Sequence, residues 1–204
     1  MPLVKNFPSK IFFFCSQPSP EGGETSIIPS HVIVEKMEEK VPEFVGKVSK
    51  LGVTFPAKLP KEDQPGDIIS RSWKWLLNTD DQEEAERRAL ERFRISSTKF
   101  NQDGSMEYVF GPWSPIEEFE GRRVWFIPLP DYSKDTDDKQ MHYRFGDGSA
   151  FPIEALDAYK QIVNDNNVDL KWQKGDILLV DNLCAQHARR PGKQPRVVLV
   201  SLCK

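Results

Sequence analysis

Trp172–Lys204 reads WQKGDILLVDNLCAQHARRPGKQPRVVLVSLCK. The Lys174-Gly175-Asp176 turn opens an apolar strand, Ile177 to Val180. Asp181-Asn182 then turn the chain, His187 follows, and Arg196 begins a second strand, Val197 to Leu202. This layout sets one imidazole and one guanidinium at the mouth of a β-barrel or sandwich. Neutral imidazole is the commonest metal ligand, and arginine is the side chain best shaped to grip a carboxylate with two parallel hydrogen bonds. A lone histidine after a strand is more often structural than ligating, by roughly two to one. The Gly-Asp-strand-Asp-Asn before His187 and the arginines after it reverse those odds.

Upstream, Ile11-Phe12-Phe13-Phe14-Cys15 reads as a buried strand, apolar on both faces. Glu21-Gly22-Gly23-Glu24 is a turn and Thr25 to Ile28 a second strand. Ser30 is placed to cap a helix running to about Lys40, with Val34, Met37 and Val41 on one face. Pro42 opens a short helix, Glu43 to Lys50, stopped by Gly52. Thr54 to Pro65 is a polar, proline-containing connection. Thr79-Asp80-Asp81 caps a helix over Gln82 to Phe93, whose early acids and later arginines complement its dipole. Asp103-Gly104 marks a hairpin between Ser96-to-Phe100 and Met106-to-Phe110. Val124 to Ile127 is a strand, Lys134 to Lys139 a solvated charged loop, and Pro152 starts an amphipathic helix through Ile162. Val168 to Trp172 leads into the two terminal strands. With no internal repeat, the pattern is one domain over residues 1–204, mainly β with helical insertions: a jelly-roll barrel, or double-stranded β-helix.

A formal net charge of −3 and the lack of a long basic cluster exclude general nucleic-acid binding. No apolar run approaches the length of a membrane-spanning helix, and Ile11–Cys15, flanked by Pro8 and Pro18, is too short for a secretory signal. Cys15, Cys184 and Cys203 are odd in number, widely spaced and without a C-x-x-C. They fit reduced thiols in a cytoplasmic setting better than disulfides or a zinc site, and each reads as a small buried hydrophobe. Three scattered histidines are also too few for a zinc- or cupin-type centre.

The terminal segment resembles the C-terminal motif of the taurine dioxygenase and clavaminate synthase-like family of Fe(II)- and 2-oxoglutarate-dependent oxygenases. Further landmarks, similar to the plant-type branch, are Phe7-Pro8-Ser9-Lys10, Ser72-Trp73-Lys74, Val124-Trp125-Phe126 and Phe145-Gly146-Asp147-Gly148. Gly22-Gly23-Glu24-Thr25 resembles the family's G-G-[DE]-T element. The likeness runs from about Phe7 to Lys204. It implies that His187 is the distal histidine of a two-histidine, one-carboxylate triad that leaves iron positions open for 2-oxoglutarate and dioxygen. It also implies that Thr25 and Arg196 anchor the co-substrate. The basic residue that often follows the family's arginine is Val197 here, and a one-residue slip of that strand would turn Arg196 out of the cavity. Arg189 and Arg190 are alternatives, or contacts to substrate, and Trp125 borders the substrate or packs in the core. Ile127 stands where the branch usually has asparagine. His31, in the first turn of a helix, and His142, in a polar loop, are not placed to help.

One family element has no counterpart. No histidine is followed two residues later by an acid: Ile33, Arg144 and Arg189 occupy those positions. In relatives that carboxylate lies about twenty-five residues before the G-G-[DE]-T threonine, which here falls just before Met1. The expectation is therefore a truncated member lacking two of three iron ligands and the opening strands of the barrel, with unpaired edges, and inactive as written. The implied chemistry of the family is oxidation of a small organic molecule with release of succinate and CO2. The rival is a non-catalytic chain that binds a carboxylate metabolite or a protein partner. No motif sets the substrate or the oligomeric state.

Overall fold

The computed structural model describes residues 4–63, 71–129 and 143–203. In chain order its strands are β1 (Lys10–Gln17), β2 (Thr25–Pro29), β3 (Val53–Leu59), β4 (Ile95–Phe100), β5 (Met106–Trp113), β6 (Ile116–Phe119), β7 (Arg122–Trp125), β8 (Arg144–Phe145), β9 (Val168–Leu170), β10 (Ile177–Asp181), β11 (Ala185–Arg189) and β12 (Val197–Cys203). The helices are α1 (Ser30–Lys40), α2 (Pro42–Leu51), α3 (Trp73–Leu77), α4 (Gln82–Arg92) and α5 (Ile153–Asn166). The fold is mainly β, with antiparallel sheets and helical insertions. Its residues group into two compact units, each assembled from three stretches: Met1–Asn6, Gly46–Ser114 and Leu129–Pro152 in one; Phe7–Val45, Pro115–Pro128 and Ile153–Lys204 in the other.

The first unit holds a four-stranded sheet in the order β4-β5-β3-β8. The hairpin at Asp103-Gly104 forms as the sequence predicts: Gly104 takes a positive φ of 77°, and Asp103 accepts the Ser105 N–H at 2.9 Å. At the start of α4, Asp81 accepts from the Glu84 N–H at 2.8 Å, which satisfies one of the donors every helix start leaves unpaired. Trp73, Leu77, Ala85, Ala89, Phe93 and Met106 form a buried cluster, so the Ser72-Trp73-Lys74 landmark is core packing with Ser72 as the cap of α3. The expected connection from Thr54 is corrected: Val53–Leu59 is strand β3. Pro56 lies within it opposite Val109 of β5, and β8 pairs with β3 at Val53 and Thr54. Gln64, Pro65, the Lys134–Lys139 loop and His142 lie outside the described residues.

The second unit contains two three-stranded sheets, β10-β1-β12 and β11-β2-β9, and the hairpin β6-β7. The terminal strands β10 and β12 do not pair with each other. Both flank β1, and between them the chain crosses to the other sheet as β11. His187, expected in the stretch after a strand, is therefore itself on a strand. Ser30 is not the cap of α1: Pro29 holds that position, while Ser30 is the first helical residue and its N–H donates to Cys184 O at 2.8 Å. Ile33, Val34 and Met37 bury the inner face of that helix.

β1 is buried on one face only, against the expectation of two. Ile11 and Cys15 are covered, whereas Phe12 and Phe14 remain 39% and 41% exposed. Their antiparallel partners Leu179, Ile177 and Leu199 share that face and are more exposed still. The sheet thus presents an exposed, largely apolar outer face. A dye such as anilinonaphthalene sulfonate should fluoresce strongly on the folded chain, and Leu199→Lys with Ile177→Lys should remove most of that signal. Unchanged emission in the double variant would place the dye elsewhere.

Candidate functional site

The site is built on the ladder between β2 and β11. Thr25 lies opposite Arg189 and Ile27 opposite His187. Directly opposed residues of an antiparallel pair share a face, and successive residues alternate. Thr25, His187 and Arg189 therefore project to one side. Ser26, Gln186 and Arg190 project to the other, where Gln186 accepts from Tyr159 Oη at 2.9 Å and donates to Trp125 O at 2.7 Å. That second face is also polar at its end, with Ser26 and Arg190 both bonded to the Asp169 carboxylate.

The turn before β2 is clamped to the loop before β12. Gly22 and Gly23 have φ of 65° and 74°, a region open to glycine at little cost. A Cβ on Gly22 would come within 2.5 Å of Pro191 O, and one on Gly192 within 2.4 Å of Gly23 N. Backbone bonds Gly23 N–Pro191 O (2.8 Å), Lys193 N–Glu21 O (2.9 Å) and Arg190 N–Glu24 O (2.9 Å) lock the two segments. Arg196, at the end of that loop, donates through Nε to Gly23 O at 2.8 Å. The G-G-E-T element thereby holds Thr25 and Arg196 in one corner.

That corner opens into a pocket of about 180 Å³. Its polar lining is Thr25, His187, Arg189 and Arg196; its apolar wall is Phe13, Val198 and Val200 from the other sheet. Arg196, immediately before β12, lies inside, while Val197 turns outward and is 42% exposed. Thr25 is buried, and its Oγ1 accepts from Trp172 Nε1 at 3.0 Å. His187 meets the edge of Phe13 with ring centroids 5.3 Å apart. The ring is open to solvent at the mouth, yet the protein packed behind it disfavours the imidazolium and holds its pKa below the ordinary histidine value. Burial also pulls the Arg196 pKa down, and the nearby charge of Arg189 adds to this. Burial pushes the thiols of Cys15 and Cys184 up, away from the reactive thiolate; all three cysteines are free.

The remaining expected residues fall elsewhere. Arg190 is held by Asp169 at 2.9 Å and Asn167 at 2.9 Å on the opposite face, which corrects its candidacy for the pocket. Trp125, expected beside a substrate or in the core, is fully buried between Phe44 and Tyr159 and donates to Ile127 O at 2.9 Å. His31 lies in the first turn of α1, as the sequence suggests. Among the described residues no three His, Cys, Asp or Glu side chains cluster as a metal site, so His187 stands as a single imidazole. Sequence reasoning passed over Trp172 and Phe13. Three consecutive phenylalanines gave no alternation from which to choose Phe13; its phase is set by the burial of Ile11 and Cys15.

A pocket between two antiparallel sheets, with a histidine on one strand and an arginine immediately before the last, is a jelly-roll arrangement. The family model for the taurine catabolism dioxygenase TauD, TfdA family matches residues 1–202, and the chain belongs to that family. It is 38% identical over 210 residues to a clavaminate synthase-like protein of Arabidopsis thaliana, covering 100% of this chain and 63% of that protein. The dapdiamide synthesis protein DdaC of Enterobacter agglomerans is 23% identical over 210 residues, covering 96% and 61%. The chain thus spans less than two thirds of the length of these curated relatives. Among solved structures it is similar in fold to AAD-2 in complex with Mn(II) and N-oxalylglycine (TM-score 0.51, 13% identity, 96% of this chain and 63% of that one). It is likewise similar to the non-heme iron oxygenase OrfP in complex with Fe, succinate and (3R,4R)-dihydroxy-L-Arg (TM-score 0.51, 14% identity, 98% and 48%). Among the described residues, no helix is long and apolar enough to cross a membrane.

The depressed His187 pKa has a measurable sign. The unfolded chain takes up a proton near pH 6.5 while the folded site resists it, so this group removes stability as pH falls below that value. In a proton NMR titration the His187 ring signal should have its midpoint below 6.5. A midpoint at or above it would mean the ring is not desolvated.

Proposed function

We propose that this chain carries the co-substrate half of an Fe(II)- and 2-oxoglutarate-dependent oxygenase site and turns nothing over by itself. The observation that carries this reading is the corner where Arg196 bonds to Gly23 beside Thr25, in the same pocket as His187. A carboxylate fits there. The Thr25 hydroxyl, having accepted from Trp172, has its proton left to donate, and the guanidinium of Arg196 uses only Nε for the backbone. Phe13, Val198 and Val200 offer an apolar wall to the methylenes of 2-oxoglutarate. Ferrous iron does not fit the donors of the described residues alone, because the family's site needs two histidines and a carboxylate, whereas the pocket lining holds the single imidazole of His187 and no three such donors cluster among the described residues. His187 would be the ligand these residues supply, its proton-poor ring suited to that task. In a complete site of the family, iron would supply the oxidation of a small organic molecule by dioxygen, with 2-oxoglutarate converted to succinate and CO2; here Thr25 and Arg196 would hold the co-substrate and His187 would face the metal.

A reducing, cytoplasmic setting suits three free cysteines, and the partner is a small molecule rather than nucleic acid or membrane. The second reading is a non-catalytic module that binds a carboxylate metabolite; the lack of a metal cluster among the described residues favours it. Turnover separates the two. Incubated with Fe(II), ascorbate, dioxygen and 2-oxoglutarate, this chain should form no succinate. A longer form carrying H-x-D or H-x-E upstream should form it, and His187→Ala in that form should abolish it. Succinate from the short chain, or from the His187→Ala form, would sink the assignment.

A further inference from the structure

We propose that Arg189 is a second anchor for the carboxylate, so that Arg189 and Arg196 close on it as a two-guanidinium clamp with Thr25 as the third donor. This rests on the co-substrate reading above and adds to it a residue and a consequence: binding that needs no metal.

Two adjacent arginines meet different fates. Arg190 is neutralised by Asp169 and Asn167. Arg189 has no ion pair or hydrogen bond with any described residue, yet it lines the pocket and stands opposite Thr25 in the ladder. No acidic side chain lines this pocket. Its polar corner is therefore made of donors: two guanidiniums and the one hydroxyl proton of Thr25, whose oxygen is occupied by Trp172. Two like charges held near one another against an apolar wall repel; burial chiefly, and the charge of Arg189 after it, lower the Arg196 pKa. An anion between them relieves the repulsion, and guanidinium–carboxylate pairs are among the stronger charge-assisted hydrogen bonds.

Shape narrows the anion. His187 is two residues from Arg189 on the same face, about 7 Å along the strand. Phe13, Val198 and Val200 line the same pocket. A short aliphatic chain with a carboxylate at the clamp and a polar group towards the imidazole matches this lining, which selects a four- or five-carbon dicarboxylate.

The test is calorimetric titration of the whole chain with 2-oxoglutarate and, separately, inorganic phosphate, with EDTA present throughout. Arg189→Gln, Arg196→Gln and the surface control Lys50→Gln, an exposed residue in the last turn of α2, are compared with the parent, and thermal unfolding is followed with and without ligand. The parent should bind 2-oxoglutarate. Arg189→Gln and Arg196→Gln should each weaken binding at least tenfold, with Lys50→Gln within twofold. Unliganded Arg189→Gln should unfold at the parent temperature or above, since it loses a repulsion, and should lose the ligand-induced rise. A drop in its unliganded unfolding temperature would mark Arg189 as structural and overturn the clamp. If Arg196→Gln weakens 2-oxoglutarate binding and Arg189→Gln does not, the clamp falls and the co-substrate reading stands. Should only phosphate bind, and lose affinity in Arg189→Gln, the clamp stands as an anion site and the co-substrate reading falls. Binding of neither probe overturns both.

Discussion

The pairing register of β2 with β11 is the constraint on which the pocket depends. It places Thr25 across from Arg189 and Ile27 across from His187. Because side chains alternate along a strand, a shift by one residue would exchange the two faces completely. The register is fixed from its end by the close backbone approach of Gly22 and Gly192, which no side chain at either position could permit. It is fixed from behind by the polar contacts of Gln186 to Tyr159 and Trp125. Neither set of contacts touches the pocket, yet together they decide what the pocket contains.

The charges in the site follow from what the fold leaves unpaired. Asp169 is spent on Arg190 and Ser26, on the wrong face to neutralise Arg189. Trp172 occupies the lone pair of Thr25 that would otherwise compete for a donor. The result is a corner short of acceptors, with the single imidazole of His187 in its lining. The donors of that corner come from residues close in sequence to Gly23 or His187, while among the described residues no three His, Cys, Asp or Glu side chains cluster as a metal site. This is the physical reason for proposing co-substrate binding without turnover.

Much of the architecture was legible because its signals are local. The apolar runs of β1, β10 and β12 announce strands, Asp81 announces α4, and Asp103-Gly104 announces a hairpin. What stayed hidden depends on partners distant in sequence. Ala185-Gln-His-Ala-Arg has no hydrophobic alternation, so β11 is defined by its ladder and not by its composition. Pro56 and Lys58 disguise β3, which is defined by its ladder to β5. The site was legible to the level of residue type. Thr25, His187 and Arg196 were named from a motif resemblance, but the choice between Arg189 and Arg190 required the phase of a strand that the sequence did not reveal. Trp125 stayed open between pocket and core because an aromatic landmark looks the same whether it borders a cavity or fills a core; it packs in the core.

The exposed face of β1 has a bearing on how the chain behaves before and after folding. Phe12, Phe14, Ile177, Leu179 and Leu199 form the side of the sheet opposite the pocket. The strands that carry this greasy surface are the same strands that carry Phe13, Val198 and Val200 into the cavity. The bare outer face and the lined inner one are thus two sides of a single layer one residue thick, so the same few strands meet solvent with grease on one side and wall a cavity with it on the other.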